Sequence, residues 1–431
     1  MTQDRRAARA AGRPAPEVRS AAYGHVREDS GVEGRARHRL TAGLLAVSGL
    51  SFAANAVFSR LLGARVYGAV GSVLALAALL AIPLSAVQAA VTRQVAVDEP
   101  GAYRLRGPVL AAACGAGALV VVSAALVPVL DTLLHLSGDW IVVLLGVYLG
   151  AILLEGVPRG TLVGERRYTA VAAVVVAGAI ARLGVGWVWA LLRPDAVGPL
   201  AGAAAGELAT AVVLLGLLAA RRRRGARDRV LHVRDVTLSM AGFTGLLSLM
   251  SIDTVAARHW LSAQGSGYYA AASAAGSIAY FAAAAAASAI FPDVAKGVST
   301  DDSRSFWIGL GEVALLGLGT AGILVVASPT VVTVVFGAGY AAARVPMQIL
   351  AVSYGLLGIL GYLVGHHLAH RSRAVLLPWA GAAVLVVAVT VAHRTPTAVA
   401  IDALVASCSL VVILGIASVA LESRPRRAVG R

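Results

Sequence analysis

The residues in this chain able to do chemistry are charged groups set inside apolar stretches. Arg182 interrupts the run AVVVAGAIARLGVGWVWALL, and Glu207 stands about nine residues into the next apolar run. A charge at the centre of a bilayer costs at least about 2.5 to 3.5 kcal/mol on insertion scales, so such residues need a compensating role. Arginine is permanently charged and forked, which suits it to phosphate. At about 1.5 Å per helical residue, Arg182 and Glu207 lie at similar depth, roughly 13 Å below one boundary, where they can meet. Two readings stand: a closed ion pair tying two helices, or an arginine poised by Glu207 to receive a substrate phosphate.

Asp253 is the second candidate. It aligns without a gap on Asn55, because Asp253 to Arg258 (DTVAAR) matches Asn55 to Arg60 (NAVFSR) and both runs then reach a Gly/Tyr turn, Tyr67–Gly68 and Gly267–Tyr268. A buried carboxylate there suits a proton or sodium ion that couples movement to a gradient, or an ion pair with Arg258, Arg60 or Arg182. Arg60 and Arg258 end their helices, so each reads as a snorkelling interface anchor or as part of an outer phosphate-exit ring. Arg93 has the matching pair of readings at the other face, anchor or head-group entry site. Glu155 and Arg159 are four apart in the favourable order for a helical pair. His366, His367 and His370 lack a carboxylate or Cys at ligand spacing, so no metal is expected.

The elements that position these residues are membrane helices. Hydrophobic residues make up 58% of the 431 residues and charged residues 14%, against roughly 25% charged in soluble domains. Uncharged stretches such as Gly107 to Leu130, Tyr269 to Phe291 and Ala374 to Ala392 meet the roughly 20 residues a spanning helix needs. Strand-like alternation is scarce, so helices rather than a barrel satisfy the backbone in lipid. About twelve spans follow: 40–60, 68–92, 107–130, 139–158, 168–191, 198–220, 237–261, 267–291, 306–328, 342–369, 374–392 and 400–421. The expected fold is an all-α polytopic membrane protein of two six-helix pseudo-repeated bundles, 39–220 and 237–421. A disordered basic tail (1–38), a basic linker (221–236) and a short tail (422–431) complete it.

The net charge of +15 is explained by topology rather than by nucleic acid. Arg93, Arg104, Arg106, Arg159, Arg166, Arg167, the Arg221 to Arg234 cluster, Lys296, Arg304, Arg371 and Arg373 fall in even-numbered loops, which places both termini in the cytoplasm. Trp140, Trp187, Trp189 and Trp260 then form an outer interfacial belt. Cys114 and Cys408 lie in apolar segments and read as small core residues. An even number of helices per half gives the two copies one orientation, related by an axis along the membrane normal, with a path between them.

FSRLLGARVYGAVGSVLALAALLAIPLSAVQAAVTRQVA (Phe58 to Ala96), IDTVAARHWLSAQGSGYYAAAS (Ile252 to Ser273) and IFPDVAKG resemble polysaccharide-biosynthesis flippases of the multidrug/oligosaccharidyl-lipid/polysaccharide superfamily, which share a MATE-like fold. The resemblance covers most of the chain from about residue 40. It implies a cell-membrane protein that moves polyprenyl-pyrophosphate-linked oligosaccharide precursors between leaflets, alongside membrane lipids and partners that polymerise or transfer glycan. It also matches Arg93 to the arginine that commonly ends the second helix in such flippases, and Asp253 to their seventh-helix aspartate. Segments that mark the lipid II branch are not evident. No GxxxxGK[ST] loop for ATP is present, and neither enzyme activity nor a cofactor is expected. Two other readings stand beside this one. A cation-coupled drug exporter of the same fold needs an aromatic, acid-lined cavity, while aromatics are 6% of the chain; a polytopic glycosyltransferase needs outer-loop acids, for which Asp131 and Asp139 are the candidates.

Overall fold

The computed structural model describes residues 16–97, 103–104, 106–136, 138–220, 227–228, 237–295, 302–370, 372–392 and 394–422. Most of the basic linker, with Arg221 to Arg224 and Arg234, lies outside the described residues, as do Lys296, Arg371 and the last nine residues.

The first helix, α1 (Pro16–Val97), contains two membrane crossings and reverses at Gly63, whose backbone stands at φ 69, ψ 167. Glycine is required there, because a Cβ disfavours positive φ. The sequence predicts two separate helices with a loop between them; the structure closes the loop to one residue. The structure also begins α1 at Pro16, where the sequence predicts disorder. Ala, Arg and Glu dominate that stretch, and these are strong helix formers.

The first bundle continues with α2 (Arg106–Ala125), α3 (Val127–Leu134), α4 (Trp140–Gly164), α5 (Tyr168–Leu192) and α6 (Val197–Ala219). The second holds α7 (Thr237–Trp260), α8 (Ala263–Ala295), α9 (Asp302–Val331), α10 (Arg344–Ala369), α11 (Leu377–Ala392) and α12 (Pro396–Glu422). Between α9 and α10 run a π-helical turn, Val332–Phe336, and a 3-10 segment, Ala338–Ala343. Among the described residues eleven segments are long and apolar enough to cross a membrane, and one of them, Ala46–Ala96, is 51 residues long. That is enough for two passes, so the twelve expected crossings are present.

Within the first bundle α5 packs on α6, and α4 packs on α1, α2 and α6; in the second, α10 packs on α8, α9 and α12, and α7 on α11. The bundles meet where α1 lies against α7 and α8. Large apolar side chains cover the outside, with Leu192 and Val391 each 78% exposed, as a lipid-facing surface requires. Cys114 and Cys408 are exposed as well, which corrects their expected place in the core: each follows the lipid side of its helix. Trp140, Trp187, Trp189 and Trp260 are all exposed near helix ends.

The two faces of the molecule differ. One carries tight turns at Gly63, after α3, after α7 and at Gly337; we call it the turn face. The other carries the basic loops, and there Tyr103–Arg104 of the first half pairs in parallel with Arg227–Asp228 of the linker.

Candidate functional site

Arg182 and Glu207 are brought together by glycine packing. A Cβ on Gly202 would stand 2.4 Å from the Arg182 carbonyl oxygen, and one on Gly206 would stand 2.6 Å from the Gly178 carbonyl and 2.7 Å from Arg182 Cβ. The small-xxx-small spacing in GAAAG therefore lets the α5 and α6 backbones touch at the level of the two charges. Both side chains line one internal cavity of about 30 Å³, walled by Val47, Leu50 and Ser51 of α1. That is room for a water molecule or two, not for a lipid head group. The two groups feel each other's charge without closing into an ion-pair contact, so the closed pair is not formed.

The cluster extends further than the sequence predicts. Tyr148 on α4 lies within electrostatic reach of Arg182, Glu207 and Glu155. Glu155 accepts from Arg159 at 2.8 Å, and its second oxygen is buried without a hydrogen-bond partner. Two guanidinium groups and two carboxylates thus run through the first bundle from Arg159 to Arg182, balanced in charge. Tyr148 was missed because a tyrosine in an apolar run carries no signal of its own; its signal is its level opposite Arg182.

Asp253 is 1% exposed. It accepts from the Tyr269 hydroxyl at 2.7 Å and from the Thr254 backbone N–H at 2.6 Å. Thr254, Ser273 and Tyr354 continue the chain of hydroxyls, with Ser273 and Tyr354 2.6 Å apart. The expected alternative of an ion pair with Arg258, Arg60 or Arg182 does not occur; Arg60 and Arg258 hold backbone carbonyls instead. A second carboxylate, Asp402 on α12, lies within electrostatic reach of Tyr269, and one of its oxygens is buried without a partner. Its signal in the sequence is an acid inside an otherwise uncharged span. Asn55 likewise accepts from a tyrosine, Tyr67, at 3.0 Å, although Tyr67 lies 12 residues along the chain and Tyr269 lies 16 from Asp253.

Arg60 and Arg258 are both on the turn face. Arg60 opens onto a cleft of about 730 Å³ between the bundles, lined also by Ser59, Arg65, Gln264, Phe336 and Tyr340. Arg93 is exposed close to the end of α1, far from both buried clusters in sequence and on the opposite face. The structure therefore brings together Arg182 with Glu207, gives Asn55 and Asp253 a tyrosine donor each, and leaves Arg93 apart. The His366 ring meets His370 at 4.5 Å between centroids, tilted by 48°, and His367 edge-on at 6.0 Å.

No protein-family model matches the chain, and no curated protein is similar to it in sequence. Solved structures are similar to it in backbone. The lipid II flippase MurJ in an inward closed conformation superposes with a TM-score of 0.71 at 11% identity, covering 90% of this chain and 88% of that one. The fold is MATE-like. An inward-facing MATE family multidrug resistance transporter of the MOP superfamily matches with a TM-score of 0.61 at 13% identity, over 90% of this chain and 99% of that chain. A MOP superfamily transporter from Pyrococcus furiosus matches at 0.52 and 14%, over 91% and 97%. This multi-pass membrane protein shares its backbone arrangement with them over about nine-tenths of its length.

Proposed function

We propose that this protein is a membrane transporter that flips polyprenyl-pyrophosphate-linked oligosaccharide precursors from the inner to the outer leaflet by alternating access. The turn face is then external, and both termini are cytoplasmic, as the basic loops favour. The observation that carries the reading is the polarity of the cleft between the bundles. Among the described residues its lining includes Arg60 and Arg65 and no carboxylate, and its volume is in the range of small-molecule sites. Arg182 is a third cation, deeper in the first bundle. The cavity around it is too small for a head group in this conformation, so Arg182 and Glu207 meet substrate only after α1 moves. Arg93 is the entry contact at the cytoplasmic face, and Asn55 is the neutral counterpart of Asp253 at the path between the bundles. Partners that polymerise or transfer glycan would receive the product.

Asp253 serves as the coupling group, because a buried carboxylate surrounded by neutral hydroxyls leaves charge for a proton or sodium ion to neutralise. The exporter reading shares this feature. The cationic cleft disfavours it, since a positively charged drug would be repelled there. The glycosyltransferase reading rests on Asp131 and Asp139, which are neighbours, but they sit beside a helix turn away from the cleft.

The deciding experiment is a mass-spectrometric profile of polyprenyl-linked intermediates in cells depleted of the protein and in cells carrying Arg182→Ala. Accumulation of one pyrophosphate-linked oligosaccharide in both is the expected result. An unchanged lipid profile together with new sensitivity to cationic drugs would overturn the flippase reading in favour of export.

A further inference from the structure

The two repeat-related arginines do the same thing in opposite directions. Arg60, at the end of the first crossing of the first bundle, donates through Nε to the Val335 carbonyl at 3.0 Å and through a second nitrogen to the Val334 carbonyl. Those carbonyls end the third crossing of the second bundle, in the turn Val332–Phe336. Arg258, at the end of the first crossing of the second bundle, donates to Leu134 O at 2.8 Å and to His135 O at 2.9 Å. Those carbonyls end the third crossing of the first bundle, where His135 turns the chain at φ 47.

The chemistry at both places is the same. A helix ends with carbonyls that have no intrahelical donor, and these carry partial negative charge. A guanidinium fork offers two parallel donors and a full positive charge. Each bundle thus supplies the cation that caps the other's exposed helix end. Arg258 also donates to Ser266 at 3.0 Å, and its neighbour His259 donates through Nδ1 to Leu133 O at 2.7 Å. Between the two caps the bundles touch backbone to backbone. A Cβ on Gly68 would lie 2.8 Å from Gly267 N, and one on Gly267 would lie 1.8 Å from Ala64 O.

We propose that Arg60 and Arg258 form a reciprocal lock that holds the turn face shut, and that opening this face requires both guanidinium groups to leave the opposite bundle's carbonyls. The lock is a further role beside the two expected ones of interface anchor and exit ring. An anchor needs only charge and length, whereas the lock needs the fork. The transport consequence rests on alternating access, but the lock itself is testable without any substrate, so its failure is distinguishable from failure of the flippase reading.

The test places spin labels on the full chain at Arg193→Cys and Thr395→Cys, exposed turn-face positions in opposite bundles, with Cys114→Ser and Cys408→Ser, and reads the distance distribution by double electron–electron resonance. Arg60→Lys and Arg258→Lys keep the charge and remove the fork. Each is expected to raise the ratio of long to short distances by about tenfold, as the loss of a charge-assisted bond implies, and the double variant is expected to raise it further. Distributions unchanged from the parent in both lysine variants would overturn the lock, because lysine preserves anchoring. Arg60→Ala and Arg258→Ala provide the second measurement: if only alanine opens the face and lysine does not, charge alone suffices and the lock is again overturned.

Discussion

Gly267→Ala is expected to force apart the seam between the bundles. The added Cβ would stand 1.8 Å from the Ala64 carbonyl oxygen and 2.5 Å from its carbon. Both are backbone atoms next to the one-residue reversal at Gly63, so neither yields by a rotamer change. Side-chain carbons almost never approach heavy atoms closer than 3.0 Å, and the two backbones must therefore separate by roughly 1 Å at a place where they now touch. Overpacking of that kind costs about 1 to 3 kcal/mol, a fall in melting temperature of roughly 2 to 6 °C. The assay is thermal unfolding in detergent, followed by size-exclusion fluorescence, with Gly319→Ala as the control, since nothing lies within 4 Å of a Cβ there. The control is expected to hold or gain stability, because alanine is the better helix former. A Gly267→Ala melting temperature equal to the parent's, with the turn-face distance distribution also unchanged, would refute the close seam.

Three further outcomes follow from the buried charges. Glu155→Ala leaves the half-buried Arg159 without its carboxylate and is expected to cost about 1 to 3 kcal/mol, read as a lower melting temperature, whereas the double variant with Arg159→Met recovers part of the loss. Burial and the nearby Asp139 hold the Asp131 carboxyl above its usual range; a raised carboxyl makes the folded state bind a proton that the unfolded state has released, so this contribution to stability is lost as pH rises upward from about 4. Asp131→Asn is expected to flatten that fall in a stability-against-pH series, and an unchanged slope would count against it. Asp253→Asn is expected to abolish the dependence of transport on an imposed proton or sodium gradient in proteoliposomes, while an undiminished dependence would remove Asp253 from the coupling role.

The helical fold was legible because a spanning helix must be long and apolar, and the apolar runs from Gly107 to Leu130 or from Tyr269 to Phe291 have no other use. The repeat was legible because DTVAAR and NAVFSR keep register around a polar residue. The meeting of Arg182 and Glu207 was legible from depth alone, since both stand about nine residues inside their helices. What depth does not reveal is the direction in which a side chain points. Tyr148, Asp402 and the partners of Arg60 and Arg258 depend on helix rotation and on which bundle faces which, and those are set by packing across hundreds of residues. The same limit misplaced Cys114 and Cys408, which share apolar runs with core residues but look outward.

The cavity beside Arg182 has walls of unequal stiffness. On the α5 and α6 sides the backbones are in contact through Gly202 and Gly206, leaving no slack for sliding. The remaining wall is α1, contributing Val47, Leu50, Ser51 and Ala54, and it is the same rod that carries Asn55 and, about a turn and a half further on, Arg60. A stiff rod cannot swing at one end alone. A displacement of that rod away from Arg182 therefore also moves Arg60 on the Val334 and Val335 carbonyls that it holds.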